Sequence, residues 1–148
     1  MWANERPSVE CQPEIEEPED NPLILAVEDE NIQEVIATIK REPEYINAPS
    51  HDDQQTALHR AVQGGFFEAI KALVENGAEI NQQDKGGKTP LFLAARENHT
   101  SVIKYLIDKG ADRNIPNNIE EKPIEIAKYY EQHQAVALLK TYPPEDRA

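Results

Sequence analysis

One spacing constrains the fold of this chain more than any other feature: the same residue types return every 33 positions. Thr56 and Thr89, Leu58 and Leu91, Ala61 and Ala94, Ile70 and Ile103, Leu73 and Leu106, Gly77 and Gly110, Ala78 and Ala111, and Asn81 and Asn114 are all separated by this interval. Such a recurrence marks a stacked repeat, in which one small unit buries its apolar face only against copies of itself. Carried forward, the interval lays Pro123 on Pro90, Ile124 on Leu91, Ala127 on Ala94, Val136 on Ile103 and Leu139 on Leu106. Carried backward, it needs 35 residues to lay Asn21-Pro22-Leu23 on Thr56-Ala57-Leu58, Ala26 on Ala61 and Val35 on Ile70. The chain therefore reads as four units, the first with two extra residues between Arg41 and Gln55.

The third unit, Thr89 to Asn114, shows what each contains. Thr89 is a good N-cap, and Pro90 sits at the first helical position, where its missing N–H costs nothing. Leu91, Leu93, Ala94 and Ala95 give a short apolar helix, and a break follows at Glu97-Asn98-His99. Val102, Ile103, Leu106 and Ile107 form the stripe of a second helix, which Gly110 ends as a left-handed residue. Helices of about nine residues are marginal alone, so the units need one another.

These residues resemble the ankyrin repeat, with its TPLHxA helix start, its Gly-Ala turn and the Asn that follows. Thr56-Ala57-Leu58-His59-Arg60-Ala61 with Gly77-Ala78-Glu79-Ile80-Asn81 carry the resemblance in the second unit. Thr89-Pro90-Leu91-Phe92-Leu93-Ala94 with Gly110-Ala111-Asp112-Arg113-Asn114 carry it in the third. The resemblance implies an all-α solenoid of helix-turn-helix units joined by hairpin loops. The units span about residues 21–55, 56–88, 89–121 and 122–142 of a domain covering 21–142. In the first unit, Arg41-Glu42-Pro43-Glu44-Tyr45-Ile46-Asn47 replaces the glycine turn with a proline stop. In the fourth, Lys122 replaces the capping threonine, Glu125 the histidine, and Tyr142-Pro143-Pro144 the turn. Both read as caps, and the inner helix of the first contains Leu23, Leu25, Ala26 and Val27.

Residues 1–20 differ in composition, with seven acidic residues against Arg6 alone and three prolines. They read as an acidic tail that either adds solubility or docks on a basic surface, and residues 143–148 as a second tail. The net charge of −13 disfavours nucleic acid and anionic membrane and favours a basic protein or peptide. Cys11 is the only cysteine, which excludes an internal disulfide and fits a reducing, cytoplasmic setting. Neither a signal peptide nor a membrane span is expected, since the first apolar run, Leu23 to Val27, is short and follows acidic sequence.

Candidates for chemistry are few. His59 and His99 fall at framework positions, where hydrogen bonding is expected, and His51-Asp52-Asp53 reads as a loop or partner contact rather than a metal or acid-base site. Nucleotide-binding, zinc-protease and calcium-loop patterns are absent, and Cys11 lies among carboxylates that disfavour its thiolate. No enzymatic activity, cofactor or metal is expected.

The resemblance implies binding through the loops and the exposed end of each inner helix, by a monomer. Transferred to this chain, the positions are Glu28 and Asp29; Asp52, Asp53, Gln55 and Gln63; Lys85, Lys88, Arg96 and Glu97; and Asn118, Ile119, Glu121, Tyr129 and Tyr130. Along the stack these read acidic, acidic, basic, then acidic with two tyrosines. Tyr129 and Tyr130 either form an interface hot spot or cover the end of the core. Lys85, Lys88 and Arg96 form a basic island for which the acidic tail would compete with an acidic partner. Two narrower readings accompany that of a binding module: an inhibitor of a partner enzyme or transcription factor, and a secreted effector acting in a host cell. Asn81 and Asn114 also resemble sites of asparaginyl hydroxylation in such repeats.

Overall fold

The computed structural model describes residues 21–142, so both expected tails, Cys11 and any competition by the acidic tail lie outside the described residues. Eight α-helices follow in pairs: α1 (Pro22–Glu28) and α2 (Ile32–Arg41), α3 (Ala57–Gly64) and α4 (Phe67–Glu75), α5 (Pro90–Arg96) and α6 (Thr100–Asp108), α7 (Pro123–Tyr129) and α8 (His133–Thr141). A 3-10 turn over Pro43–Tyr45 follows α2, and no strand forms among the described residues. The fold is the all-α solenoid that the resemblance implies. Inner helices stack as α1 on α3, α3 on α5 and α5 on α7, and every outer helix packs on the inner helix of its own unit. The outer layer pairs α2 with α4 and α6 with α8. Across the middle, the ring of Phe67 meets that of Tyr105 edge-on at 5.3 Å.

Left-handed residues keep the units in phase. Glu30, Gly65, Asn98 and Glu131 join the two helices of each pair with φ of 55°, 69°, 58° and 56°. Gln54, Gly87 and Glu120 turn the loops between pairs with φ of 58°, 80° and 64°. Only some are glycine, because this region near +60° is open to other residues at modest cost. Gly77 and Gly110 reach φ of 100° and 101°, where a side chain is far less tolerated. After Gly110, the Ala111 N–H bonds the Leu106 carbonyl at 2.9 Å, closing α6 in the Schellman manner. The first unit lacks this glycine and stops at Pro43, as its sequence implies.

Helix starts reach one end by different chemistry. The Thr89 hydroxyl accepts from the Phe92 N–H at 3.2 Å, and Asn21 Oδ1 from the Leu23 N–H at 2.9 Å. At α3 and α7 the third helical residue reaches back instead. His59 Nδ1 accepts the Thr56 N–H at 3.1 Å, and the Glu125 carboxylate accepts the Lys122 N–H at 2.9 Å. Glu125 therefore does the histidine's work where the threonine is missing.

The core runs unbroken through the stack, with Leu23, Leu58, Leu91, Ile70, Leu73, Ile103 and Leu106 fully buried. One position of the first inner helix departs from its counterpart in the third unit. Leu25 is 45% exposed, and Ile24 takes the buried place. Its counterpart Leu93 is 0% exposed because α5 lies between α3 and α7, whereas α1 has an inner-helix neighbour on one side only among the described residues.

Candidate protein-binding surface

The loops between units build their tips from carboxylates and amides that hold backbone N–H groups. Asp84 Oδ1 accepts from Gly86 and Lys88 at 2.9 Å each, and Asn117 Oδ1 from Ile119 at 3.0 Å and Glu121 at 2.9 Å. These are Asx turns, the local reason that Asp and Asn recur here. Successive loops are then stitched together. The Lys85 N–H bonds the Asp53 carbonyl at 2.8 Å, and the Asn118 N–H bonds the Gly86 carbonyl at 2.9 Å. Asn118 Nδ2 adds a bond to the Lys85 carbonyl at 2.7 Å. The result is a ridge of linked loops instead of separate mobile fingers.

Two candidate residues are spent on this ridge. Gln55 is buried and donates to Asp84 Oδ2 at 3.0 Å, so it joins two loops and is not part of the exposed strip. Asp53 accepts from the Ser50 hydroxyl, from the Gln55 N–H at 3.0 Å and from Arg60 at 2.8 Å. Burial pushes its carboxyl up, but the Ser50 hydroxyl, the Gln55 N–H and the Arg60 guanidinium outweigh this and leave it below its ordinary value. Arg60 also lies 3.6 Å from Glu28, tying the first unit to the loop that follows it. Sequence reasoning missed Arg60 because its counterparts Leu25, Leu93 and Ile126 are apolar, and that exception was its only available signal.

The basic island is smaller than its sequence suggests. Arg96 pairs with Glu97 at 3.0 Å, while Lys85, exposed, and Lys88, half-buried, form no ion pair among the described residues. Glu28, Asp29, Asp52, Glu97 and Asn118 are exposed, and Gln63 and Glu121 are half-buried. At the far end, Tyr129 and Tyr130 are 74% and 52% exposed and Ile119 is 73% exposed. The two tyrosine rings meet edge to face at 5.1 Å and 85°. They do not cover the core among the described residues.

Framework histidines behave as their positions imply. His59 Nε2 donates to the Lys88 carbonyl at 3.0 Å, and His99 Nε2 to the Gln63 carbonyl at 3.2 Å. Burial lowers the His59 pKa, against the opposing pull of the Lys88 carbonyl and Asp84. Asn47 Oδ1 accepts from the Glu79 N–H at 2.7 Å, and Asn81 Oδ1 from the Asp112 N–H at 2.9 Å, so these asparagines clasp the next unit. A groove of about 560 Å³ opens where Gly65 and Phe67 face Asn98–Val102. It contains none of the partner-binding candidates, and of the histidines weighed for chemistry only His99 lines it. Among the described residues no His, Cys, Asp and Glu group could hold a metal, and no helix is long and apolar enough to cross a membrane.

Four stacked helix pairs, left-handed joints in phase and a stitched loop ridge define a repeat protein of one kind. The chain belongs to the ankyrin-repeat family: residues 4–84 match the family described as Ankyrin repeats (3 copies), and residues 67–107 match Ankyrin repeats (many copies). Over 79 residues it is 39% identical to protein phosphatase 1 regulatory subunit 27 of Homo sapiens, covering 53% of this chain and 51% of that protein. Over 78 residues it is 37% identical to a transient receptor potential cation channel subfamily A member 1 homolog of Caenorhabditis elegans, covering 52% of this chain and 6% of the channel. A putative ankyrin repeat protein of Rickettsia bellii is 34% identical over 87 residues, 57% of this chain and 48% of that protein. The chain thus spans about half the length of the phosphatase subunit, and far less of the channel.

Proposed function

We propose that this chain is a protein-binding module that holds a partner protein or peptide along its loop ridge and the concave ends of its inner helices, with no catalysis and no cofactor. The exposed pair Tyr129–Tyr130 carries the reading. Two aromatic rings left in solvent at the end of an inner helix forgo the burial that would justify them structurally, and aromatic residues concentrate at interface hot spots. Ile119 adds an exposed apolar side chain on the loop of the same unit. The net charge of −13 favours a partner with a basic face. Asp52, Gln63, Lys85, Lys88, Arg96, Glu97 and Asn118 complete the contact strip; Gln55 and Asp53 support it from behind.

Similarity to a phosphatase regulatory subunit supports a second reading, in which binding alters the activity of a partner enzyme. Assaying a captured partner with and without the chain separates a regulator from a passive adaptor. The strip itself is tested by affinity capture with the intact chain beside a variant carrying Tyr129→Ala, Tyr130→Ala and Arg96→Glu. Recovery of the specific partner should fall by about tenfold or more if the tyrosines are hot-spot residues. Equal recovery would show that the partner sits elsewhere.

A further inference from the structure

The inter-repeat contact made by His99 recurs once and fails once. One unit later, Gln132 stands at the His99 position and its Nε2 donates to the Arg96 carbonyl at 3.1 Å, as His99 does to Gln63. One unit earlier the position is Phe66, which has no N–H to give, and the corresponding carbonyl, that of Glu28, has no donor among the described residues. At this junction lies a cleft of about 330 Å³, lined by Val27, Glu28, Glu30, Arg60, Gln63 and Phe66 among others. Its walls are apolar at Val27 and Phe66. The Glu30 carboxylate and the Gln63 amide have no hydrogen-bond or ion-pair partner among the described residues. Arg60, the one cation of the lining, is already held by Asp53 at 2.8 Å and faces Glu28 at 3.6 Å.

We infer that this cleft between the first and second repeats is a socket for a lysine or arginine side chain of the partner protein, an inference that rests on the protein-binding reading. The aliphatic stem lies along Phe66 and Val27, as long basic side chains cover apolar surface while keeping their charge solvated. The cationic head donates to the Glu28 carbonyl and pairs with Glu30, and the face of Phe66 favours a cation further. An incoming cation meets the Glu28 and Glu30 carboxylates against one guanidinium, which Glu28 shares with Asp53. Replacing a donor by Phe66 removes an internal bond and leaves an acceptor for an outside one.

The test uses the full chain, isotope-labelled for NMR, titrated with N-acetyl-arginine amide, N-acetyl-lysine amide and the neutral N-acetyl-citrulline amide. Saturable shifts of the Glu28, Glu30, Gln63 and Phe66 amides are expected with the two cations and not with citrulline. Phe66→Gln, which restores the residue type of Gln132, should bond the Glu28 carbonyl and abolish the saturable shifts while the chain stays folded. Phe66→His repeats the test with the residue type of the third unit. Glu30→Gln, at an exposed position, should weaken binding roughly two- to fivefold. Absence of saturation with both cations, equal shifts with citrulline, or undiminished binding in folded Phe66→Gln would each overturn the socket. If partner capture depends on Tyr129 and Tyr130 yet survives Phe66→Gln unchanged, the socket alone falls; loss of dependence on the tyrosines removes the strip instead.

Discussion

His59 donates its Nε2–H to the backbone carbonyl of Lys88 at 3.0 Å, so the ring that starts α3 is clasped by the loop leading into α5. Its other nitrogen accepts the Thr56 N–H at 3.1 Å, which fixes the neutral tautomer; a second proton would face that N–H. Burial holds the folded pKa below the ordinary 6.5. The unfolded chain therefore binds this proton first, and stability, full above about pH 6.5, falls as pH drops from there to the lowered value. Asp53, held below its ordinary 3.8, keeps its contribution through this window and loses it only as pH falls through its own lowered value. Urea midpoints should fall between pH 7.5 and 5.5. His59→Phe, which copies the Phe92 found at the equivalent position, should be less stable at pH 7.5 by about 1–2 kcal/mol and flatter across the window. Parallel pH profiles for the two proteins would exclude His59 as the cause.

Gly87 and Gly64 should respond to alanine with opposite signs. At Gly87, φ is +80° and an added Cβ would lie 2.5 Å from Asn118 Oδ1 and 2.6 Å from the Asn118 backbone nitrogen. Gly87→Ala is expected to cost more than about 2 kcal/mol and to loosen the loop ridge. Gly64 ends α3 with nothing within 4 Å of its would-be Cβ, so Gly64→Ala should stabilise by about 0.5–1 kcal/mol. Thermal melts of the two variants decide it.

Leucines at one repeat position should differ by their neighbours. Leu93→Ala empties a fully buried site between two helices and should cost about 2–5 kcal/mol. Leu25→Ala, at 45% exposure on the first inner helix, should cost less than about 1 kcal/mol. Similar losses in chemical denaturation would contradict the difference in burial between the two sites.

Asn47 bridges units from both ends of its amide, accepting from the Glu79 N–H at 2.7 Å and donating to the Gly77 carbonyl at 3.2 Å. Asn47→Ala should cost about 1 kcal/mol, since solvent partly replaces these exposed bonds. Hydrogen exchange at the Glu79 amide should accelerate more than exchange in the core of α4. Unchanged protection at Glu79 would contradict the bridge.

The exposure of much of the candidate strip was legible in the sequence, but the pairing of its polar groups was not. Lys85, Glu97, Asn118, Ile119, Tyr129 and Tyr130 are exposed where the repeat pattern places them. Arg96 carries its charge next to Glu97, which pairs with it, and Gln55 reaches Asp84 in the following loop instead of solvent. The cleft at Phe66 is a missing bond, and a missing bond becomes visible only once His99 and Gln132 show where it should run.

By itself, the amino-acid sequence determined the number of units and their phase through the 33-residue recurrence, and the cap, break and glycine turn of the third unit, each of which depends on residues within a few positions of one another. Thr89 caps its own helix, and Gly110 ends its own. Only the tertiary structure decided which polar groups remain available and which apolar ones lie exposed. Arg60 is divided between Glu28 and Asp53, the Glu28 carbonyl waits on a donor that Phe66 lacks, and Leu25 lies bare where Leu93 is enclosed. The physical reason is the stack itself: a side chain's partners belong to the next unit, some 33 residues away, and identical positions diverge wherever that neighbour changes or is missing.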